Sequence, residues 1–323
     1  MAKIIGRLVN VGVARETERG VGVAPIYNLP RTEFSFDDKI VKARSISSLG
    51  KISDSDEAIM VSHYGEGDIG GELRDKTVGL FLYALLGTCT TTGSGPYTHT
   101  FTIAHNNQHP TLTLVVDDTN TKEMYKMCMI NSLEVTAELE SMVAYTANFM
   151  SKSGVTSGAS IPAPVVENKW GKNHVQVRVA EDISGLDAAQ KISLKSLTLT
   201  IEKNVTLDES LGTADPEDLV NRQISVSGEM TLNYEDDTWK GYMMNSTNRA
   251  MEVKLVDQST TLDPSGNPTL TFRFPKVDFF DWEPDYSLDE LTTQSVSFKA
   301  SYDFANSQEM VSSIALINEV VSY

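Results

Sequence analysis

The stretch GDIGGELRDKTVGLFLYALLG at residues 67–87 is similar in design to GEMTLNYEDDTWKGYMMNSTN at residues 228–248. Each copy predicts the end of a strand, an acidic turn and a short helix. Internal repeats are sought before a fold is assigned, since a missed repeat misassigns the whole architecture. The aligned pairs are Asp75 with Asp236, Thr77 with Thr238, and Phe81 with Tyr242.

Three further stretches recur in the same order. SLG at 48–50 matches SLG at 210–212, and TLTLVV from Thr111 matches TLTFRF from Thr269. VAYTANFMS from Val143 is paired with VSFKAS from Val296. Four matches in one order predict an internal duplication. The alternative is chance similarity, because alternation makes many β-strands look alike.

Composition limits the function classes. The chain has 323 residues and a formal net charge of −17, and so strong an acidic balance repels nucleic acid phosphates and argues against tight DNA or RNA binding. Its two cysteines, far apart in sequence, indicate neither a zinc site nor a disulfide scaffold. We expect no signal peptide, and the apolar run at 78–86 is too short to span a bilayer. These features predict a soluble cytoplasmic product.

The chain divides into four segments. Proline and glycine spacing in residues 1–31 predicts an extended arm whose apolar side chains need a cover. Residues 32–150 form the first half, and 151–185, which begins with a run rich in Ser, Gly, Pro and Ala, is the predicted linker. The second half, 186–323, ends in a C-terminal strand. Short alternating strands separated by turns predict a mainly β sandwich or barrel with one short helix in each half.

Two details of this organisation can be checked directly. Asp75 is the predicted N-cap of the first helix and Gly87 its stop. The clearest strand of the first half is Leu133–Glu140, in which Leu133, Val135, Ala137 and Leu139 alternate with acidic and hydroxyl side chains. A period of two places one face in a core and the other in water.

The sequence contains no recognisable motif for catalysis, cofactor binding or metal binding. His105 and His109 have the four-residue spacing of helical metal ligands, but Asn-Asn-Gln lies between them and Pro110 follows, so a turn is predicted. The acidic clusters lack the pattern of a calcium loop, and no nucleophile elbow or phosphate loop occurs. The sequence therefore predicts a protein that is not an enzyme and binds no cofactor.

The whole pattern resembles the tail tube, or major tail, proteins of long non-contractile tailed bacteriophages. The resemblance covers nearly the whole chain and rests on patterns of turn and strand residues. It is carried by four stretches: GRLVNVGVARETERGVGVAPIYNLPRTEFSFDDK from Gly6, SHYGEGDIGGELRDKTVGLFLYALLG from Ser62, SLTLTIEKNVTLDESLG from Ser196, and FPKVDFFDWEPDYSLDEL from Phe274.

The resemblance implies a structural role in the virion tail. Such subunits form rings that stack helically into a hollow tube, in which inner strands join into one continuous β-barrel around passing genomic DNA. The implied partners are other copies of the chain and the tail terminator, tail tip and tape-measure proteins, with DNA only as cargo and no membrane. The subunit would be made in the cytoplasm of the bacterial host. A duplicated member can build its ring from three chains with pseudo-sixfold symmetry.

We expect Glu134, Glu138 and Glu140 to line the lumen of such a tube, since they share the long acidic strand face. The alternative is that this face points outward into solvent. Two other functions stay open at this point: a secreted β-sandwich that binds or hydrolyses carbohydrate, and a capsid decoration or tail-tip protein of the same viruses.

Overall fold

The computed structural model describes residues 3–54, 56–262 and 265–323. The run Asp-Pro-Ser-Gly-Asn at 263–267 predicts a turn, and one of the acidic clusters is 54–57. Residues 263–264 of that turn, residue 55 of that cluster and the first two residues of the predicted arm lie outside the described residues. Over the described residues the fold is mainly β with two short α-helices, as predicted. The helices are α1 (Thr77–Leu86) and α2 (Thr238–Met244). The strands are β1 (Asn10–Arg15), β2 (Tyr27–Asn28), β3 (Glu33–Phe34), β4 (Asp37–Arg44), β5 (Ala58–Glu72), β6 (Gly87–Thr92), β7 (Tyr97–Ile103), β8 (Leu112–Asp117), β9 (Lys122–Glu138), β10 (Ala144–Lys152), β11 (Val155–Thr156), β12 (Val175–Ala180), β13 (Lys191–Ile192), β14 (Leu194–Glu202), β15 (Val205–Asp208), β16 (Asp218–Asn221), β17 (Ser225–Asn233), β18 (Arg249–Val256), β19 (Thr269–Asp285), β20 (Thr293–Ala300) and β21 (Ser313–Asn318).

Eight strands form one continuous antiparallel layer, in the order β4, β5, β10, β9, β14, β17, β20, β19. The first four strands come from the first half of the chain and the last four from the second. The halves meet where β9 pairs with β14. Among the described residues this layer does not close on itself, because β4 and the C-terminal part of β19 are not paired with each other.

Both halves have the same connectivity. In the first half β5 pairs with β10, β10 with β9, β9 with β8 and β8 with β1. In the second half β17 pairs with β20, β20 with β19, β19 with β18 and β18 with β12. A short helix follows β5 in one half and β17 in the other. The fold is therefore duplicated.

A shared irregularity fixes the register of the two copies. The pairing of β9 with β10 slips at Asn131, and the pairing of β19 with β20 slips at Phe280. Gly67 lies opposite Phe149, and Gly228 lies opposite Phe298. Phe149 is thus the counterpart of Phe298. The sequence pairing that starts at Val143 and Val296 is wrong by four residues, because alternating strands look alike when they are slid by an even number of positions.

Helix α1 lies in the main core, where all of its residues except Tyr83 are buried. The prediction that Gly87 ends it is confirmed, since that residue has the left-handed φ of 95° and its N–H donates to Tyr83 O. The predicted N-cap role of Asp75 is wrong. Its carboxylate accepts from the backbone and side chain of Asn168 at 2.9 and 2.8 Å. The backbone N–H groups of Lys76, the N-cap residue, and of Thr77, the first helical residue, donate instead to Glu167 Oε2.

Helix α2 has a different environment, with no buried residue. Asp236 Oδ1 accepts from Thr238 N–H at 2.9 Å, so here the acidic turn does stabilise the helix start. The Tyr242 ring stacks on Phe279 of β19 at 5.7 Å. In the first copy Phe81 packs on Phe149 of β10 at 5.8 Å. In both copies the aligned aromatic residue joins the helix to the sheet.

Strands from the predicted arm and linker complete the two copies of the fold, β1 in the first copy and β12 in the second. In the predicted arm, β1 pairs with β8, and Val11 and Val13 are fully buried, whereas Ile4, Ile5 and Leu8 are exposed. The predicted linker contributes β11, β12 and a fully buried Trp170. The segment boundaries themselves stay a prediction.

Candidate functional site

The water-facing side of β9 carries the acidic residues singled out in the sequence. Leu133, Val135 and Ala137 are buried, while Glu134 is half-buried and Glu138 is exposed. The strand ends at Glu138, so Glu140 and Leu139 lie in the turn beyond it. Placing these two residues on the strand was wrong, and Leu139, predicted for the core face, is 47 % exposed.

Neighbouring strands continue this polar face. Glu134 lies between Thr146 of β10 and Thr200 of β14, and Glu138 lies beside Ser196. Asn148 donates to Asp68 of β5 at 2.7 Å, which shows that their side chains share one side of the sheet. By register, the same side carries Asp37 and Lys39 on β4; Glu66, Asp68 and Glu72 on β5; Thr146, Asn148 and Lys152 on β10; Ser132, Glu134, Thr136 and Glu138 on β9; Ser196, Thr198, Thr200 and Glu202 on β14; Ser225, Ser227, Glu229 and Thr231 on β17; Ser295, Ser297 and Lys299 on β20; and Asp278, Asp281, Glu283 and Asp285 on β19.

This surface, the polar face, combines hydroxyl groups with an excess of negative charge. Twelve of its side chains are carboxylates and three are lysines. Charges of one sign spread over a surface repel polyanions beyond contact distance, within a Debye length of about 8–10 Å. Short hydroxyl side chains add hydrogen-bonding capacity without apolar adhesion. The polar face is therefore suited to lie next to a nucleic acid without binding it tightly.

Both edges of the eight-stranded layer carry apolar side chains in solvent. On β4, Ile40 is 52 % and Val41 46 % exposed. At the other edge Phe280 is 58 % exposed, and Tyr286, one residue beyond β19, is 63 % exposed. An exposed apolar edge strand is a template for pairing with another chain.

Buried polar residues join the two halves behind the sheet, and sequence reasoning missed most of them. Lys203, fully buried, donates from Nζ to Ala84 O near the C-terminal end of α1 at 2.8 Å. Burial, with a smaller contribution from Arg19, lowers its pKa to about 7. The ring of His109 lies at the same end of the helix. Its Nδ1 atom is within hydrogen-bond distance of Leu85 O, and its Nε2 atom is within hydrogen-bond distance of Ala104 O. Its burial lowers its pKa, with Lys203 acting in the same direction.

A buried histidine joins three strands near the C-terminal end of the chain. His99 is buried, and its ring nitrogens form hydrogen bonds with Thr91 Oγ1 and Asn318 Oδ1. These two hydrogen bonds join β7 to β6 and to β21. In the part of the chain that the structure describes, no three His, Cys, Asp or Glu side chains are grouped to hold a metal ion.

Comparison with known families gives the decisive observation. The family model of phage tail tube proteins matches residues 6–300. The chain belongs to the phage tail tube protein family. No curated protein matches it.

Membership makes the chain a structural component of the virion tail. Its polar face and open edges are then features of a tail tube subunit. Among the described residues, no helix is both long and apolar enough to cross a membrane.

Proposed function

We propose that this tail tube subunit assembles as a ring of three chains, and that rings stack helically into a hollow tube with the polar face inside. Each chain supplies two copies of one unit, so three chains give pseudo-sixfold symmetry. The tube would be the conduit for genomic DNA during ejection. The tail terminator, tail tip and tape-measure proteins would be its partners at the ends and in the lumen.

One observation carries this proposal: the eight-stranded layer spans both halves, with four strands from each and two open edges. Three such layers joined edge to edge make a barrel of about 24 strands, with a diameter of roughly 48 Å at a strand tilt near 40°. A bore of that size still admits a DNA duplex after side chains occupy its rim. Closure also removes the exposed edges.

The acidic lining favours passage over binding. Neutralising phosphates with basic side chains releases counterions and gives most non-specific DNA affinity. A lining in which carboxylates outnumber lysines does the opposite, so DNA stays centred and mobile. Glu134 and Glu138 lie near the middle of the layer, beside the junction of the two halves.

Negative-stain and cryo-electron microscopy of the purified chain test the proposal. We expect hollow tubes whose rings contain three chains, with the carboxylates of the polar face inside. Isolated particles would favour a capsid decoration or tail-tip protein, and tubes with the polar face outside would contradict the assignment of the channel.

A further inference from the structure

The junction between the two halves of one chain is a template for the junction between chains. We propose that β4, with the segment from β3 leading into it, pairs antiparallel with the C-terminal part of β19 in a second copy, in the register that β14 adopts on β9. This inference rests on the proposed ring and specifies which residues close it.

The internal duplication supplies the equivalences. Gly228 lies opposite Leu199 of β14. Continuing the register of β4 on β5, in which Asp37 lies opposite Glu66, places Phe36 opposite Gly67. Because Gly67 corresponds to Gly228, Phe36 is the counterpart of Leu199. The matched bulges at Asn131 and Phe280 make Ser132 the counterpart of Asp281. Within the chain, Ser132 lies opposite Glu202.

Transferring that register gives a defined set of contacts between chains. Glu202 corresponds to Lys39, so Lys39 of one copy lies opposite Asp281 of the next. The remaining predicted pairs are Asp38 with Trp282, Asp37 with Glu283, Phe36 with Pro284, Ser35 with Asp285, and Phe34 with Tyr286.

Backbone directions at the open edge agree with this pairing. Tyr234 N–H donates to Thr292 O, so Thr292 and every second residue after it in β20 direct their backbone N–H and C=O groups toward β17. The alternate residues, Ser295 and Ser297 among them, direct these groups toward β19, where they lie opposite Glu283 and Asp281. Trp282, Pro284 and Tyr286 therefore direct their backbone groups to the open edge. Their counterparts Leu133, Val135 and Ala137 face β14 in the internal junction, where Lys203 N–H donates to Asn131 O at 2.7 Å.

Side chains at the two edges are complementary in most positions. Lys39 meets Asp281 on the polar face, and the next positions bring exposed Ile40 to exposed Phe280. Asp37 opposite Glu283 is a like-charge pair, which weakens pairing in this register by a modest amount. Pro284 offers its carbonyl but no N–H. The proposed pairing therefore has one backbone hydrogen bond fewer at this position than the internal junction, where Val135 is the counterpart.

A groove beside β3 leaves room for the incoming segment. Its volume is about 1290 Å³, and its lining includes Phe34, Phe36, Arg31 and Tyr125. The Arg31 Nε atom is buried without a hydrogen-bond partner. The segment that begins at the last residue of β19 is acidic and apolar, DYSLDEL from Asp285 to Leu291, and it contains the exposed Leu288 and Leu291. A second copy thus supplies both carboxylates and apolar side chains to this groove.

Paired cysteines test the register in a Cys89→Ser background. In the internal junction the N–H of Lys203 donates to Asn131 O, next to the pair formed by Ser132 and Glu202. Ser132 and Glu202 are therefore a non-hydrogen-bonded pair, in which the Cα atoms are about 4.5 Å apart. That separation suits a disulfide. The variants Lys39→Cys/Asp281→Cys and Ser35→Cys/Asp285→Cys should therefore cross-link in assembled tubes. The control Lys39→Cys/Asp285→Cys is four residues, or about 13 Å, out of register.

We expect the two matched pairs to give covalent trimers on a non-reducing gel, with at least about tenfold more product than the control. Tubes that form without cross-links in the matched pairs, or that cross-link equally in the control, would overturn the register. A disulfide within a single chain would overturn pairing between copies. If the wild-type chain forms no tubes, the proposed function itself fails, whatever the cysteine variants do. Melting curves of each reduced variant show whether the subunit is folded.

Discussion

Lys203 is a buried residue whose side chain joins the two copies of the fold. It extends from the end of β14, in the second half, to the carbonyl of Ala84 in the first half. Its pKa of about 7 in the folded chain lies below the ordinary lysine value of 10.5. Between these two values the unfolded chain binds more protons, so this residue makes stability increase as pH rises from about 7.

We predict that wild-type protein has a larger free energy of unfolding at pH 9 than at pH 7. Lys203→Met should remove most of that increase, because methionine fills the space without a proton to lose. Urea denaturation at both pH values measures it, with the exposed Lys191→Met as control. An unchanged pH dependence in Lys203→Met would contradict the role of this ammonium group.

Glu167, in the predicted linker, caps the start of helix α1 in the first half. Its Oε2 atom accepts from Lys76 N–H, Thr77 N–H and Thr77 Oγ1–H, at 3.2, 2.7 and 2.7 Å. Glu167→Ala leaves donors of the first helical turn without partners and should destabilise the subunit by about 1–3 kcal/mol. Glu319→Ala, which removes only a surface ion pair with Lys76, should change stability by less than about 1 kcal/mol. Equal effects of the two substitutions in urea titrations would contradict the capping role.

At the scale of elements, the strand β9 links the fold to the proposed channel. Glu134→Gln/Glu138→Gln removes two charges from the middle of the polar face without altering side-chain size. We predict normal tubes but DNA ejection slowed by about twofold or more, because phosphates are repelled less. Ejection kinetics of the mutant phage measure this, with Glu18→Gln/Glu181→Gln as the control for surface charge. Unchanged kinetics would contradict the assignment of these residues to the lumen.

The N-terminal segment before β1 is the element we expect to contact a neighbouring chain. Ile4, Ile5 and Leu8 are exposed there, and Arg31 Nη2 donates to Gly6 O and Val9 O. Deleting residues 3–8 should leave the melting temperature nearly unchanged and abolish tube formation, as seen by electron microscopy. Normal tubes from this variant would show that the segment is dispensable. Deleting further, through Arg15, removes buried β1 and should unfold the first half.

Hydrophobic periodicity predicted strands and helices well where one face is buried and the other is exposed to solvent. It therefore gave the β class, the helix that ends at Gly87 and the acidic side of β9. It failed where tertiary contacts decide. Asp75 has the sequence of an N-cap, but Glu167, remote in sequence, takes that role. The sequence predicted that β9 continues to Glu140, because apolar and acidic residues still alternate there. The strand pairing ends at Glu138.

The buried polar residues between the halves could not be predicted for the same reason. Lys203 and His109 look like surface or turn residues in sequence, and only the packing of β14 against α1 brings them to one helix end. The internal repeat indicated the duplication, but the match of TLTLVV with TLTFRF is wrong, because it pairs β8 with β19, whose structural counterpart is β9. The register of the repeat needed the matched bulges at Asn131 and Phe280.

At the scale of the whole molecule, the subunit is two copies of one unit that share a single sheet. The first copy completes its edge with β14 of the second, whereas β4 and β19 have no such partner among the described residues. In the proposed ring such a chain makes half of these edge contacts internally and receives the rest from other chains. Six units at two per chain require three chains.

The symmetry of the ring tests this account most directly. A cryo-electron microscopy reconstruction of tubes, computed without imposed symmetry, should show three chains in each ring, with β4 of one chain beside β19 of the next and the polar face inside. A ring of six chains, or a subunit whose β4 and β19 pair within the same chain, would contradict it.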